Sequence, residues 1–209
     1  MSYDLNHMTI HSSNLPSDLA TLLPAPLHAL CQTEHYKRGT HLFHAGQTPK
    51  WMFFVLTGEV TLERIGSQGD NVVLQRTRHG FVSEASLQSP VYHCDAHVAL
   101  EADVVCVPVS ALLGSLQQDS AFALRWIGMC NREIRHLRLQ CERMSLKTVQ
   151  ERLLHLIETE GQSGDYDIAS GLKTLASELG VTHEALYRTL ALLEKAGRLQ
   201  RASGKLSLK

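Results

Sequence analysis

The sequence predicts an α+β chain in three successive parts. These are an N-terminal antiparallel β-roll that is jelly-roll-like in its strand spacing, a long dimerisation helix, and a C-terminal winged helix-turn-helix. Three observations carry the prediction. From Glu34 onward, short apolar runs are punctuated by Gly39, Gly46, Gly58, Gly66, Gly69 and Gly80, which suits small antiparallel strands joined by tight turns. Between Asp119 and Met144, residues Ala123, Ile127, Cys130, Ile134, Leu137, Cys141 and Met144 are spaced alternately four and three apart, a heptad seam. Beyond Leu172, two short helical patterns joined by Gly180-Val181 are followed by Gly197 and a hairpin pattern. On this reading the β-roll domain spans residues 15–118, the dimerisation helix 119–144 and the DNA-binding winged helix 148–209.

In chain order, Leu15, Leu19, Leu22, Leu23, Leu27 and Leu30 keep helical spacing up to Gln32 but are interrupted by Pro24 and Pro26, so short helices are expected. Strands follow at Trp51–Val55 and Val60–Ile65 around Thr57-Gly58-Glu59, and at Asn71–Arg76 after the turn Ser67-Gln68-Gly69-Asp70. Val91–Val98 and Val104–Val107 add two more, and Pro108 with Ser110 starts a short helix. This regular spacing indicates a β-sandwich or jelly-roll barrel.

In the long helix, Arg125, Arg132, Glu133, Arg135, Arg138, Glu142 and Arg143 are too costly to bury in the seam and belong on solvated or domain-facing sides. The seam residues Ile127, Cys130, Ile134, Leu137 and Cys141 then pair with a second copy of the helix; the alternative is a buried helix of a monomeric core. Phe122, Leu124, Trp126 and Met129 lie off the seam and are expected to dock the preceding domain. After a hinge at Ser145–Lys147, Thr148 and Glu151 form a capping box for a helix through Thr159. A short strand at Tyr166–Ala169, helices at Lys173–Leu179 and Thr182–Ala196, and a hairpin wing over Leu199–Leu208 turning at Ser203-Gly204 complete the chain.

Composition bounds the function. The 209 residues, 44% hydrophobic, suit one or two globular domains with a proper core. No run reaches the roughly 18 apolar residues of a membrane span, and the polar stretch Met1–Asn14 lacks the regions of a signal peptide, so the expected compartment is the cytoplasm. Five scattered cysteines without a CxxC pair read as thiols. The formal net charge is -1, yet from His183 to Lys209 six Lys/Arg stand against two Glu, a local excess of +4 suited to nucleic acid.

The order β-roll, dimer helix, winged helix resembles the Crp/Fnr family of bacterial transcription regulators over nearly the whole chain. The most specific part is Leu172-Lys-Thr-Leu-Ala-Ser-Glu-Leu-Gly180-Val-Thr-His-Glu184-Ala-Leu-Tyr-Arg188-Thr-Leu-Ala-Leu-Leu-Glu-Lys-Ala-Gly197. Arg38-Gly39, Phe43, Gly46, Phe54-Val55 and Gly58-Glu59-Val60 look like the family's roll framework. The resemblance implies a homodimer on a palindromic duplex, contact with RNA polymerase, and base reading from Thr182, His183, Glu184, Tyr187 and Arg188. Independently of the family, Glu184 and Arg188 at i and i+4 share a helix face. Arginine suits guanine O6/N7, and glutamate accepts from cytosine N4.

The resemblance also bears on what is sensed. Members that bind cAMP place Gly-Glu and Arg-Ser in their cassette; the matching positions here are Ser83-Glu84 and Cys94-Asp95, and the purine pair falls at Leu137-Arg138. An aspartate where the phosphate needs an arginine reverses the electrostatics, so cAMP is not expected. Ser83, Glu84, Cys94, Asp95 and Leu137 remain the effector-pocket candidates. An iron-sulfur cluster would need grouped cysteines near the N-terminus, where Cys31 stands alone. Haem or a metal ion stays open, with His79, His93, His97 and Cys94 as candidate ligands. On a strand, His93, Asp95 and His97 share one face and Cys94 takes the other. Cys94 is then a sensing thiol or a small buried hydrophobe, and Cys130 with Cys141 offers a second thiol pair in the seam.

Two rival classes are a cupin-like metal enzyme and a ligand-binding interaction module without DNA binding. The first lacks its His-x-His pair, because Gly39-Thr-His41-Leu-Phe-His44 has the wrong spacing, and it leaves the helix-turn-helix unexplained. A non-enzymatic regulator is the expectation.

Overall fold

A computed structural model describes residues 9–10, 15–65, 71–168 and 171–209. The turn expected at Ser67–Asp70, most of Met1–Asn14 and the end of the strand expected at Ala169 lie outside the described residues. The chain forms two compact units that divide between Ile127 and Gly128.

In the first unit the order is β1 (Thr9–Ile10), α1 (Ser17–Leu22), α2 (Ala25–His28), β2 (Gln32–Tyr36), β3 (His41–Phe43), β4 (Trp51–Val55), β5 (Glu59–Ile65), β6 (Asn71–Thr77) and β7 (Gly80–Val82). A 3-10 turn (Glu84–Ser86), β8 (Asp95–Leu100), β9 (Ala102–Pro108) and α3 (Val109–Gln118) follow. The strands make two antiparallel sheets, ordered β1-β2-β9-β4-β7 and β3-β8-β5-β6, and neither closes into a barrel. Apolar side chains of both sheets form one core that includes Phe43, Phe53, Val60, Tyr92, Ala96, Val98, Val104 and Cys106. Each large side chain among them, fully buried, stabilises the roll by about 1.5–3 kcal/mol. Glu59, which opens β5, is buried but held by Arg76 Nη1 at 2.9 Å and Arg78 Nη2 at 2.8 Å. That pairing offsets the cost of removing a carboxylate from water.

Several expected boundaries move. The leucine pattern toward Gln32 stops being helical at His28, and Gln32 opens β2 by pairing with Cys106 of β9. The run Val91–Val98 is strand only from Asp95, because Gly46 N–H bonds to the Tyr92 carbonyl and Tyr92 N–H to that of Gln47, tying residues before Asp95 into a loop. The strands β2, β3 and β7 are not expected from the apolar pattern.

The helix α4 (Ser120–Ser145) begins where Asp119 Oδ1 accepts the Phe122 N–H at 2.9 Å. Phe122, Trp126 and Met129 are buried, and Trp126 meets Phe81 of β7 edge-on with centroids 5.1 Å apart. Leu124, expected beside them, is 70% exposed, because it lies about 200° around the helix from Phe122. In the single chain the seam is open: Ile127 is 53%, Ile134 46%, Leu137 42% and Met144 40% exposed, and Cys141 is exposed as well. A buried helix of a monomeric core does not describe this stretch.

The second unit continues with α5 (Val149–Glu160), β10 (Asp165–Asp167), α6 (Gly171–Glu178), α7 (His183–Lys195), β11 (Leu199–Ala202) and β12 (Lys205–Leu208). Its sheet runs β10-β12-β11 over a core of Leu153, Leu156, Ile157, Leu175, Leu179, Leu186, Leu190, Leu193 and Leu206. The capping box forms: Glu151 N–H donates to Thr148 Oγ1 at 3.1 Å and Thr148 N–H to Glu151 Oε2 at 2.9 Å. Among the charges expected on open or domain-facing sides, Arg143 goes furthest in. It is 2% exposed and ion-paired with Glu160 of α5.

Candidate functional site

The recognition helix is set by its ends. Thr182 caps α7, its Oγ1 accepting the Ala185 N–H at 3.2 Å, and Gly180 at φ 63° and Gly197 at φ 67° allow the turns on either side. Leu186, Leu190 and Leu193 turn into the core, which leaves Glu184, Tyr187 and Arg188 on the exposed side. Glu184 and Arg188 are brought to one face. The Glu184 carboxyl is held below the usual carboxylate range by its own backbone N–H and the Thr182 hydroxyl, so it is an ionised acceptor. His183 and Tyr187 stack edge-on at 4.5 Å, and Arg201 of β11 lies 5.9 Å from the Tyr187 ring. The wing hairpin turns at Ser203 and Gly204, both with positive φ. Arg188, Lys195, Arg198, Arg201, Lys205 and Lys209 are all exposed, with Arg201 paired to Glu194 and Lys205 to Asp167, each at 3.5 Å.

Arg152 was not singled out by sequence reasoning. Its guanidinium donates to the carbonyls of Leu146 at 3.0 Å, Leu179 at 3.0 Å and Met144 at 3.3 Å. It thereby joins the end of α4, the start of α5 and the end of α6, stopping two helices whose last carbonyls lack partners within the helix. An arginine in the first turn of a helix carries no sequence signal for that role.

In the roll, Ser83 is buried in a left-handed conformation at φ 75° and opens the 3-10 turn at Glu84. Cys94 is 2% exposed and packs into the core, and burial pushes its thiol pKa up. His93 is exposed and Asp95 and His97 are half-buried where Cys94 is buried, so Cys94 faces the core while they face outward. His93 interacts instead with Ser86 Oγ at 3.2 Å, and its carbonyl accepts from Arg64 Nη2 at 2.9 Å. His79 pairs with Asp18 at 2.6 Å. A pocket of about 600 Å³ opens at His41, His44, Gln47, Lys50, Trp51 and Tyr92; none of Ser83, Glu84, Cys94 and Asp95 lines it. Leu137 lies in the second unit on the exposed seam. Burial likewise raises the thiol of Cys31 to about 11 and that of Cys106 to about 12, while Cys130 is half-buried and Cys141 exposed.

Residues 33–119 match the cyclic nucleotide-binding domain family. FixK2 from Bradyrhizobium japonicum superimposes with a TM-score of 0.65 at 20% identity, covering 86% of this chain and 92% of that one. The chain has the Crp/Fnr fold. The fold that the resemblance implied is thereby borne out. Two further structures with this fold are a transcriptional regulator of the CRP family from Thermus thermophilus and CLP, described as a c-di-GMP responsive global regulator, from Xanthomonas campestris. The first has a TM-score of 0.55 at 16% identity over 83% of this chain and 90% of that one. The second has 0.54 at 19% identity over 85% and 93%. No curated protein matches the chain in sequence.

Within the Crp/Fnr fold the domain match raises the question of a cyclic nucleotide, for whose phosphate the resemblance sets Cys94-Asp95 in the arginine's place. At the cassette position the side chains are a buried thiol and a carboxylate, and Asp95 Oδ1 already accepts the Ala45 N–H at 2.6 Å. A cyclic phosphate placed there would meet the Asp95 carboxylate, with Arg64, bound to the His93 carbonyl at 2.9 Å, as the neighbouring guanidinium.

Proposed function

We propose that the chain is a homodimeric, sequence-specific DNA-binding transcription regulator of the Crp/Fnr type, answering to an effector other than cAMP. The reading divides it into an effector-binding roll (15–118), a dimerisation helix (119–144) and a DNA-binding winged helix (148–209). It works as a non-enzymatic protein of the cytoplasm, with double-stranded DNA, its own second copy and RNA polymerase as partners. Among the described residues no helix is long and apolar enough to cross a membrane.

The observation that carries the proposal is the pair Glu184 and Arg188, exposed together on a capped helix whose opposite face is fully packed. Such a helix enters a major groove with its N-terminal side chains toward base edges. Thr182, His183 and Tyr187 flank the pair, and the wing cations Arg198, Arg201 and Lys205 suit the phosphates beside it. The open seam of Ile127, Cys130, Ile134, Leu137 and Cys141 supports a two-fold dimer, whose recognition helices reach half-sites about one helical turn apart.

The test is Arg188→Ala against a set of palindromic duplexes varied one base pair at a time. Affinity is expected to fall by about 1–3 kcal/mol, with preference lost at the guanine position alone. A uniform loss on every sequence overturns the base-reading role, and unchanged binding overturns the DNA interface.

A further inference from the structure

We propose that His41, His44 and Asp95 form a binding site for a borderline divalent transition-metal ion of the zinc, cobalt or nickel class on the outer surface of the β-roll. This goes beyond the DNA-binding reading and does not depend on it. The ligand atoms of the three side chains lie within 4.8 Å of one another. Zinc at about 2.0–2.2 Å from nitrogen and oxygen donors holds tetrahedral ligands about 3.4 Å apart, so side-chain rotations of about an ångström close the triad.

A β-bulge brings these side chains together. On a regular strand, residues three apart face opposite ways. Here β3 pairs with β8 as His41↔His97 and then Phe43↔Ala96, so two steps on β3 match one on β8. The extra residue reverses the alternation once. It places the two imidazoles side by side, their rings stacked at 4.5 Å. Asp95, the first residue of β8, then meets His44 from the neighbouring strand, with its Oδ1 3.7 Å from His44 Nδ1. The Ala45 N–H, at 2.6 Å from that same Oδ1, fixes the carboxylate's orientation, as carboxylate ligands in metal sites are fixed by outer hydrogen bonds.

The surroundings suit a bound cation. His97 stacks obliquely on His41 at 5.2 Å and its Nδ1 lies 3.8 Å from Glu63 Oε1, so three imidazoles and two carboxylates converge on one patch. Two nitrogens and one oxygen are the donor set of a borderline metal; calcium and magnesium prefer all-oxygen sites. His41 and His44 are exposed and border the 600 Å³ pocket, so the remaining coordination position is open to water or to a small anionic ligand.

The test uses the full, untagged chain, stripped with chelator and then titrated with Zn²⁺ by calorimetry and with Co²⁺ by visible absorption, in the absence of DNA. One ion per chain is expected, with Co²⁺ d–d bands and no thiolate charge-transfer band. Affinity should fall at least about tenfold in His41→Gln, His44→Gln and Asp95→Asn, and stay at the parent value in His93→Gln and Cys94→Ser. Zn²⁺ should raise the thermal midpoint of the parent and leave the three ligand variants unmoved. Circular dichroism of the metal-free variants checks that they remain folded. An absence of saturable binding in the parent, binding that persists in all three ligand variants, or loss on Cys94→Ser overturns the assignment. None of these outcomes bears on Arg188 and the duplex.

Discussion

Replacing Ile134 by alanine tests the open seam, and its magnitude follows from exposure. In the single chain Ile134 is 46% exposed, so a partner helix would remove about half of this side chain from water. Full burial of isoleucine is worth about 1.5–3 kcal/mol, which makes the remaining half worth about 1 kcal/mol per copy and about 2 kcal/mol per dimer. At 1.4 kcal/mol per factor of ten, Ile134→Ala weakens the dimer about 30-fold. A cavity left between the helices adds to that loss. Ile134→Glu would place two carboxylates across the axis without partners and should abolish the dimer at micromolar concentration. Sedimentation equilibrium over a wide concentration range reads both, with Arg135→Ala on the exposed flank as the control. A parent chain that sediments as a monomer refutes the reasoning, and so does a control that weakens the dimer as much as Ile134→Ala.

Three further outcomes are expected. Gly58→Ala should destabilise the roll by at least about 2 kcal/mol in urea unfolding, because φ there is 82° and a Cβ would collide with the Glu101 carbonyl oxygen; a smaller loss would mean that β9 can shift. Asp103 and Glu101, each 2.8 Å from a ring nitrogen of His35, raise its pKa above the ordinary imidazole value. The stability this lends is full below that ordinary value and is lost as pH rises through the raised one, so the urea midpoints of parent and His35→Gln should differ near pH 5.5 and converge by about pH 8.5. A gap independent of pH contradicts this. Calorimetry with millimolar cAMP should show only heat of dilution; a micromolar dissociation constant would reverse the electrostatic reading and point to Arg64, which already reaches the His93 carbonyl, as the phosphate partner.

The sequence made the apolar strands and the helix ends legible because their signals are local. The run Trp51–Val55 is strand β4 to the residue, and Thr148 with Glu151 forms the box their spacing required. The hairpin at Ser203-Gly204 and the two helices around Gly180 stand where their turn chemistry put them. By contrast Gln32–Tyr36 spells Gln-Thr-Glu-His-Tyr, with no apolar alternation to read. It is a strand because β9 supplies the ladder, Gln32 against Cys106 through Tyr36 against Ala102, and because Tyr36 alone sinks into the core. Strand formation driven by a partner so distant along the chain leaves no trace in a short window of sequence.

The site residues divide along the same line. Glu184 and Arg188 were legible because a helix converts sequence spacing into geometry without help from the rest of the fold: i and i+4 meet on any α-helix. The exposed apolar stripe of Ile127, Ile134 and Leu137 on α4 was legible for the same reason. On a strand the corresponding rule is alternation, and applied to His41 and His44 it separates them, which is why their spacing spoke against a metal pair. One extra residue in β3, detectable only from its register with β8, sets the two rings side by side and brings in Asp95 from far along the chain. Alternation along β8 puts Asp95 and His97 on one face, yet the neighbours that Asp95 acquires are on the other strand. A sheet therefore hides its ligand sets in two ways, through bulges that shift phase and through partners distant in sequence. If the triad binds metal as proposed, two histidines three apart on a bulged edge strand, with a carboxylate opening the neighbouring strand, are what a search should look for in place of a fixed His-x-His motif.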